Sequence, residues 1–216
     1  DEMSSRGLGD VYKRQIELRY FGVLTKIFNV GRFASQFEFD GDLDTIPDDL
    51  ENEDKWILAE FSDLLEKAKT GYSELDIYTA AQGIKTFSTG VFASHWLEMA
   101  KTRLYNDDAS ATWTLHRIFR DLLSILSPVC PFFTHHLSTT LYEKSSVEID
   151  VFPESPISDT KLWTEITESL VDFNSVVWKA KKDAGVSLAA PISGHNVPDS
   201  LKNIENALVS MHKLED

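Results

Sequence analysis

The sequence has 216 residues, a formal net charge of −14 and a hydrophobic share of 42%. This composition allows one large domain, or one domain with an appendage, and the 5 Trp, 6 Tyr and 13 Phe can fill a sizeable core. The acidic balance disfavours attraction of nucleic acid to the whole surface. The single cysteine, Cys130, excludes an internal disulfide and indicates a reducing compartment, and no apolar run predicts a membrane span or a secretory signal.

The charge is unevenly distributed along the chain. Residues 38–66 contain twelve acidic residues and one basic residue, Lys55, whereas residues 11–37 contain five basic residues and one acid, Glu17. We interpret residues 38–53 as a solvated linker, with an acidic interaction site as the alternative. An acidic chain of this kind can still present a basic strip.

Residues 1–15 are small and polar and show neither helical nor alternating periodicity. We expect them to be a disordered, non-native artefact, and we expect the native sequence to begin upstream of Ile16.

From Ile16 onward the apolar residues recur with helical spacing, which predicts an all-α fold with only minor strand content. A first helix extends to about Phe37, and a second begins with Asp54 as its cap and ends at Gly71. A long third helix, capped near Ser73 and Asp76, reaches Tyr105. Gly83 and Gly90 within it predict a close helix contact or a bend near residues 88–90.

A polar turn at residues 106–108 separates the third helix from a fourth, whose broad apolar face predicts cover on several sides. Pro128 and Pro131 should end this helix near Ser127. A short helix over 134–142, a small strand over 147–151, a helix over 159–184 and a last helix over 201–212 follow. We therefore predict an antiparallel helical bundle over residues 16–152 and a C-terminal extension over residues 153–216.

The sequence contains no glycine-rich phosphate loop, no nucleophile elbow and no zinc-like spacing of Cys and His. Adjacent helical residues point about 100° apart, so His135 and His136 do not form a chelating pair. We expect no catalytic residue, cofactor or metal in this chain, and we interpret Cys130 as a buried thiol.

Basic and aromatic residues alternate in three places, a pattern typical of surfaces that bind unpaired nucleotides. The three sets are Lys26, Asn29, Arg32 and Phe33; Trp96, Lys101, Arg103 and Tyr105; and Trp178, Lys179, Lys181 and Lys182. Helix surfaces often carry such residues for other reasons, and we favour a core role for Trp96 and Trp178.

Four segments in series resemble the anticodon-binding region of class Ia aminoacyl-tRNA synthetases. They are KIFNVGRFASQF at 26–37, DKWIL at 54–58, WLEMAKTRLY at 96–105, and LLSILSPVCPFFTHHLSTTLY at 122–142. Within the class, residues 173–194 and the closing MHKLED resemble the C-terminal extension of the archaeal-type valyl enzymes, with the isoleucyl enzymes as the nearest competitor. Two positions depart from the pattern: Phe28 replaces a usual Trp, and His135-His136 replace a pair of glutamates.

The resemblance implies a C-terminal fragment that binds tRNA(Val) in the cytoplasm, as part of a monomeric enzyme whose catalytic and editing domains lie upstream. ATP and Mg would then act in the full-length enzyme, because the HIGH and KMSKS signatures are absent here. The candidate tRNA contacts are Asn29, Arg32, Lys101, Arg103, Lys179, Lys181 and Lys182. For these residues, caps, ion pairs or a solvated helix face remain alternatives, and a helical protein-interaction domain remains the alternative for the whole chain.

Overall fold

The computed structural model describes residues 21–143 and 151–215, and within these ranges the chain is mainly helical, as predicted. The first helix, α1, covers residues 21–34. The other helices are α2 (Asn52–Ser73), α3 (Ile77–Thr86), α4 (Leu97–Leu104), α5 (Ala109–Leu126), α6 (Pro131–Tyr142), α7 (Lys161–Thr164), α8 (Thr167–Asp183) and α9 (Glu205–His212). A π-helical segment, Phe87–Trp96, joins α3 to α4, and a 3-10 helix, Asp199–Ile204, precedes α9.

Helix α5 is the centre of the bundle. Fifteen of its 18 residues are buried, which confirms that neighbours cover it on several sides. Its start follows from Asp108, whose side chain accepts a hydrogen bond from the backbone N–H of Ala111. It ends at Leu126, ahead of Pro128, as predicted. Helices α2, α4 and α6 pack against α5, and Gly31 of α1 lies close to the ring of Phe119.

The predicted long third helix is continuous in its course but changes its hydrogen bonding over Phe87–Trp96. A π-helical segment arises when one extra residue enters the helical ladder, and such segments are rare. Here the carbonyl of Thr89 accepts hydrogen bonds from the side chains of Ser94, at 2.7 Å, and Lys26, at 2.8 Å. Side-chain donors therefore bind the backbone carbonyl of Thr89, in the segment where a bend was predicted.

The two glycines of this long helix have different surroundings. A Cβ atom at Gly83 would lie 3.1 Å from the side chain of Leu64 on α2, tighter than an ordinary contact, so glycine allows the two helices to pack closely there. A Cβ atom at Gly90 would meet nothing within 4 Å. Close packing, one of the two predicted explanations, therefore applies to Gly83 alone.

The start of α2 differs from the prediction. The helix begins at Asn52, with Glu51 at the cap position, so Asp54 lies inside the first turn instead of capping it. The Asp54 side chain is fully buried and accepts a hydrogen bond from the indole N–H of Trp96 at 3.0 Å. Asp54 thus joins α2 to the end of the π-helical segment.

The acidic linker contacts the bundle more closely than a solvated loop would. The Asp44 carboxylate pairs with Arg120 at 2.7 Å and Arg117 at 3.3 Å, both on α5. The backbone carbonyl of Asp42 accepts a hydrogen bond from the Trp113 indole at 3.3 Å, and Glu53 at the end of the predicted linker is buried. Cations on α5 therefore neutralise part of the acidic run.

The C-terminal residues pack against the bundle. Trp56 donates its indole N–H to Thr167 at 2.8 Å, and Asn52 donates its side-chain amide to the carbonyl of Asn203 at 2.8 Å. The helix predicted over 159–184 is two helices, α7 and α8, and the last predicted helix begins as the 3-10 turn. A short parallel pairing of Ile192–Ser193 with Leu214–Glu215 was not predicted.

Two predictions fall outside the described residues. The predicted artefact at residues 1–15 lies before them, and four of the five residues of the predicted strand over 147–151 lie in their internal gap. The division of the chain at 152/153 stays a prediction. Among the described helices, none combines the length and apolar character needed to cross a membrane.

Candidate nucleic-acid interface

Asn29 and Arg32 lie on the exposed side of α1, opposite the buried residues Ile27, Val30 and Ala34. Neither side chain makes a hydrogen bond or ion pair with the described residues. Lys26, one and a half turns before Arg32, instead donates its ammonium to the π-helical segment. Arg32 is therefore a free cation at the C-terminal end of α1, and Lys26 is a contact between helices.

Lys101 lies on α4 and keeps about 40% of its side chain exposed while it pairs with Glu98 at 2.6 Å. An exposed pair one turn apart contributes little to stability and exchanges easily with other partners. Lys101 thus remains available to an anionic ligand.

Tyr105, at the end of α4, connects the first predicted set of residues with the second. Its ring centroid lies 6.1 Å from that of Phe33 and 5.5 Å from that of Phe37, both in edge-on geometry. The structure therefore brings Arg32 and Lys101 to one end of the bundle, around three aromatic rings. This contact between α1 and α4 was not visible in sequence spacing, because 72 residues separate Phe33 from Tyr105.

Arg103 lies on the side of α4 opposite to Lys101, towards the protein interior. Its guanidinium contacts the carboxylates of Asp54 at 2.7 Å, Glu53 at 3.0 Å and Asp108 at 3.0 Å. It also donates to the Ser110 hydroxyl at 2.6 Å, and only 18% of the side chain is exposed. We call these five residues the arginine network. Its geometry gives Arg103 a complete set of internal partners, so a phosphate contact would have to displace a carboxylate.

The pKa values in the arginine network follow from burial and charge. Burial raises the pKa of Asp54 and of Glu53, although Arg103 acts against the rise in both. Burial opposes the charged guanidinium, but the hydrogen bond and charge of Asp54 raise the pKa of Arg103 above its ordinary value. The cation is therefore permanent, and the two buried carboxylates depend on it.

Lys181 is fully buried, in contrast to its neighbours Lys179 and Lys182. Its ammonium donates to the backbone carbonyl of His212 at 2.7 Å and to that of Leu188 at 2.8 Å. Burial, and then the nearby charge of Lys213, lower the pKa of Lys181. The carbonyl of His212 ends α9, where the helix dipole favours a cation. Lys181 therefore holds the C-terminal helix against α8, and its charge does not reach the surface.

Next to Lys181, two histidines share one asparagine. Asn174 donates to Nδ1 of His95 at 2.9 Å and accepts from Nε2 of His212 at 2.7 Å. We call Asn174, His95 and His212 the histidine network. Nδ1 of His212 is buried without a hydrogen-bond partner among the described residues. Burial, and then the charge of Lys181, lower the pKa of His212 to about 4. Both effects favour the neutral form of the imidazole.

Lys179 and Lys182 are exposed on α8 and border an open hollow with Trp178, Val186 and Leu188. Trp178 itself is half-buried against His95, at 5.3 Å between centroids, and His212, at 5.8 Å. Trp96 is fully buried and stacks on Phe92 at 5.4 Å, as expected for a core residue. The third set thus retains two exposed cations, on a helix that contacts the end of the π-helical segment.

The described residues offer no group of three or more His, Cys, Asp or Glu that could hold a metal ion. Cys130 is half-buried, and burial raises the pKa of its thiol, which disfavours a nucleophilic role. The exposed cations and aromatic rings of α1 and α4 are groups that can bind an anionic or aromatic ligand.

Residues 54–195 match a family model described as the anticodon-binding domain of tRNA ligase. The match covers well over half of the chain, from the first turn of α2 to the residues after α8. The chain belongs to this family.

Among the tRNA ligases, the individual relatives to which the chain is similar are valine–tRNA ligases. The chain is 32% identical over 173 residues to a valine–tRNA ligase of Saccharolobus solfataricus, covering 79% of the chain and 20% of the relative. It is also 32% identical, over 203 residues, to the valine–tRNA ligases of Aeropyrum pernix and Pyrobaculum aerophilum, covering 88% and 89% of the chain. The chain thus spans about a fifth to a quarter of the length of the curated relatives it matches. The predicted resemblance to the valyl synthetases is confirmed.

Proposed function

We propose that this chain binds the anticodon stem-loop of tRNA(Val) as the C-terminal part of a valine–tRNA ligase. The observation that carries the proposal is the match of most of the chain to one region of valine–tRNA ligases, within a family of anticodon-binding domains. Ligation of valine to tRNA would use ATP and Mg held elsewhere in the enzyme. We propose a cytoplasmic, monomeric enzyme, in which this domain and the catalytic part bind the same tRNA.

The exposed cations supply the first part of the binding mechanism. Arg32, Lys101, Lys179 and Lys182 are the proposed phosphate contacts that are exposed, and Asn29 offers an amide beside Arg32. Phosphate contacts set the register of a nucleic acid but carry no sequence information. The anticodon bases, which are unpaired, would be distinguished by stacking and by hydrogen bonds to their edges.

The net charge of −14 shapes this binding. The fields of the acidic residues repel a polyanion at long range, so the exposed cations must act locally. We therefore expect modest affinity for the chain alone, with a salt dependence that reports the number of phosphates contacted.

The test compares tRNA(Val), tRNA(Ile) and a tRNA(Val) transcript that carries the isoleucine anticodon, by filter binding between about 50 and 200 mM salt. We expect tRNA(Val) to bind more tightly than the swapped transcript by about fivefold or more, since one lost base contact costs about 1 kcal/mol or more. Equal affinity for all three RNAs would exclude anticodon reading by this chain.

A further inference from the structure

Three aromatic side chains form a connected group at the exposed end of α1 and α4. Phe33 and Phe37 contact each other at 5.0 Å between ring centroids, and both contact Tyr105. We call these residues the aromatic cluster. Phe33 and Phe37 are half-buried against the hydrophobic core, whereas 62% of Tyr105 is exposed. The phenylalanines therefore support the tyrosine from within the protein and leave much of its surface open to solvent.

The turn that carries Tyr105 is fixed in place. The backbone N–H of Tyr105 donates to the carbonyl of Lys101, and the N–H of Asp108 donates to that of Arg103. Asp107 has a φ of 57°, the left-handed conformation that closes the turn. The Arg103 side chain then holds Asp108, which also caps α5. Because the backbone around Tyr105 is already ordered, little conformational entropy remains to be lost when a ligand binds.

Each of the two helices that form the aromatic cluster also carries a basic residue near it in the chain. Arg32 precedes Phe33 on the exposed side of α1, and Lys101 lies one helical turn before Tyr105 on α4. An exposed, supported aromatic ring with basic residues on both of its helices fits a nucleotide, because the ring can stack on a base while the cations approach the flanking phosphates; Lys101 would exchange its exposed partner Glu98 for a phosphate. A loop with unpaired bases meets this requirement, and paired bases, which stack on each other, do not.

We infer that Tyr105, supported by Phe33 and Phe37, is a stacking platform for one unpaired nucleobase of the anticodon loop. The inference rests on the proposed tRNA binding and adds to it the place where a base is held. Arg103 is then a positioning residue, because its bonds to Asp108 and Asp54 fix the turn that presents the ring. Stacking is tolerant of base identity, so Tyr105 contributes affinity and register, while edge contacts elsewhere would select the anticodon.

The experiment uses the 216-residue chain and a tRNA(Val) transcript in which single anticodon-loop positions carry 2-aminopurine, a base whose fluorescence is quenched by stacking. The test variant is Tyr105→Leu, which removes the aromatic face, and the conservative variant is Tyr105→Phe, which keeps it. The matched control is Tyr78→Leu. Tyr78 is 68% exposed and lines the same hollow as Leu126, at the far end of α5, about 27 Å along that helix from the α4–α5 turn.

We expect Tyr105→Leu to weaken tRNA binding by about 5- to 150-fold, the range for losing one aromatic–base stack, and to abolish the quenching at one loop position. Tyr105→Phe and Tyr78→Leu should bind like the unmodified chain. The slope of affinity against salt should not change in Tyr105→Leu, because no phosphate contact is lost, whereas Arg32→Gln should lower it by about one counterion.

The two possible failures are distinguishable. If the unmodified chain binds tRNA(Val) and Tyr105→Leu binds equally well with quenching intact, the stacking platform is wrong and the proposed function stands. The same conclusion holds if Tyr105→Leu and Tyr78→Leu weaken binding equally. If the unmodified chain does not bind tRNA(Val), the proposed function fails and the platform fails with it. Circular dichroism of each variant confirms that the helices are retained.

Discussion

The α4–α5 turn and the α8–α9 junction each bury a basic side chain, and they compensate its charge in different ways. Arg103 is surrounded by three carboxylates, two of them buried on α2. Lys181 contacts two backbone carbonyls, with no carboxylate among its described partners. The first region is an ionic network and the second a set of dipoles around one charge.

The difference follows from the chemistry of the two side chains. A guanidinium presents five donors in a planar fork, so it can satisfy Asp54, Glu53 and Asp108 together. An ammonium is a compact charge on a flexible stem, and the carbonyl that ends α9 carries the negative end of the helix dipole. Arg103 therefore joins α2, α4 and α5, whereas Lys181 holds one helix end. Removing either cation should destabilise the chain, but by different amounts.

Replacing Arg103 by Ala should have the largest effect. It leaves the buried carboxylates of Glu53 and Asp54 without their cation, which typically costs about 3–5 kcal/mol of unfolding free energy. Urea denaturation followed by circular dichroism measures the loss. Lys101→Ala, two residues away in an exposed pair, should change stability by less than about 1 kcal/mol.

The double variant Arg103→Ala, Asp54→Asn tests the cause of this loss. If the unpaired carboxylate is responsible, neutralising Asp54 should recover part of the stability, and the two substitutions should not be additive. A loss below about 1 kcal/mol in Arg103→Ala would show that the network contributes little and that Arg103 is free to serve a ligand.

The histidine network predicts the second largest effect, a loss of stability at mildly acidic pH. The pKa of His212 is about 4 in the folded chain and 6.5 as the ordinary value, so its contribution is complete above pH 6.5 and is lost as the pH falls towards 4. The shift corresponds to about 3 kcal/mol. Protonation would add a buried charge beside Lys181, with His95 and His195 also nearby.

The matched variant for this effect is His212→Gln, which keeps a side-chain donor for Asn174 but does not titrate. Unfolding free energies measured from pH 7.5 to 4 should decline less in His212→Gln than in the unmodified chain. Because carboxylates elsewhere titrate equally in both proteins, the difference between the curves isolates His212. Parallel curves would contradict the lowered pKa.

The helical fold was predictable because apolar periodicity determines which side of each helix is buried. The spacing from Leu115 to Leu126 located α5, and Asp108 and Pro128 marked its ends. The predicted start of α2 was wrong because Asp54 has a side chain typical of a helix cap. Its actual partners, Trp96 and Arg103, lie more than 40 residues away in the sequence. Local preference identifies a residue suited to a cap but not the long-range partner that competes for it.

The inward orientation of Arg103 and Lys181 could have been predicted from their spacing to apolar residues in the sequence. Arg103 follows the buried Trp96 by seven residues, two helical turns, which places both on one side of the helix. Lys181 follows Val177 by four residues and Asn174 by seven, on the buried side of α8. A charge on an apolar stripe indicates a buried ion pair or a buried polar contact.

Arg32, by contrast, lies off the apolar stripe of α1 and is exposed; the stripe is formed by Ile27, Val30 and Ala34. The aromatic cluster could not be predicted in this way, because it depends on a contact between α1 and α4.

Of the three destabilising changes, the loss of the Lys181 ammonium should have the smallest effect, and it tests the difference between the two buried cations. Lys181→Met keeps the length of the stem but leaves the carbonyls of Leu188 and His212 without a donor, at a cost of about 1–2 kcal/mol. The loss is smaller than at Arg103 because the buried ammonium, with no carboxylate partner, is itself poorly solvated, and its removal offsets part of the cost. Lys182→Met, on the exposed side of α8, should leave stability unchanged.

For the binding of tRNA(Val), in contrast to stability, Lys182→Met should have a larger effect than Lys181→Met. Lys182→Met should lower the slope of affinity against salt by about one counterion, and Lys181→Met should leave the slope unchanged, because its charge contacts only the protein. Equal slopes in Lys182→Met and the unmodified chain would remove Lys182 from the proposed phosphate contacts. If Lys181→Met lowered the slope, the buried position of its ammonium would not persist in the complex. In that case α9 would have to separate from α8 when tRNA binds, since the carbonyl of His212 occupies the ammonium in the free chain.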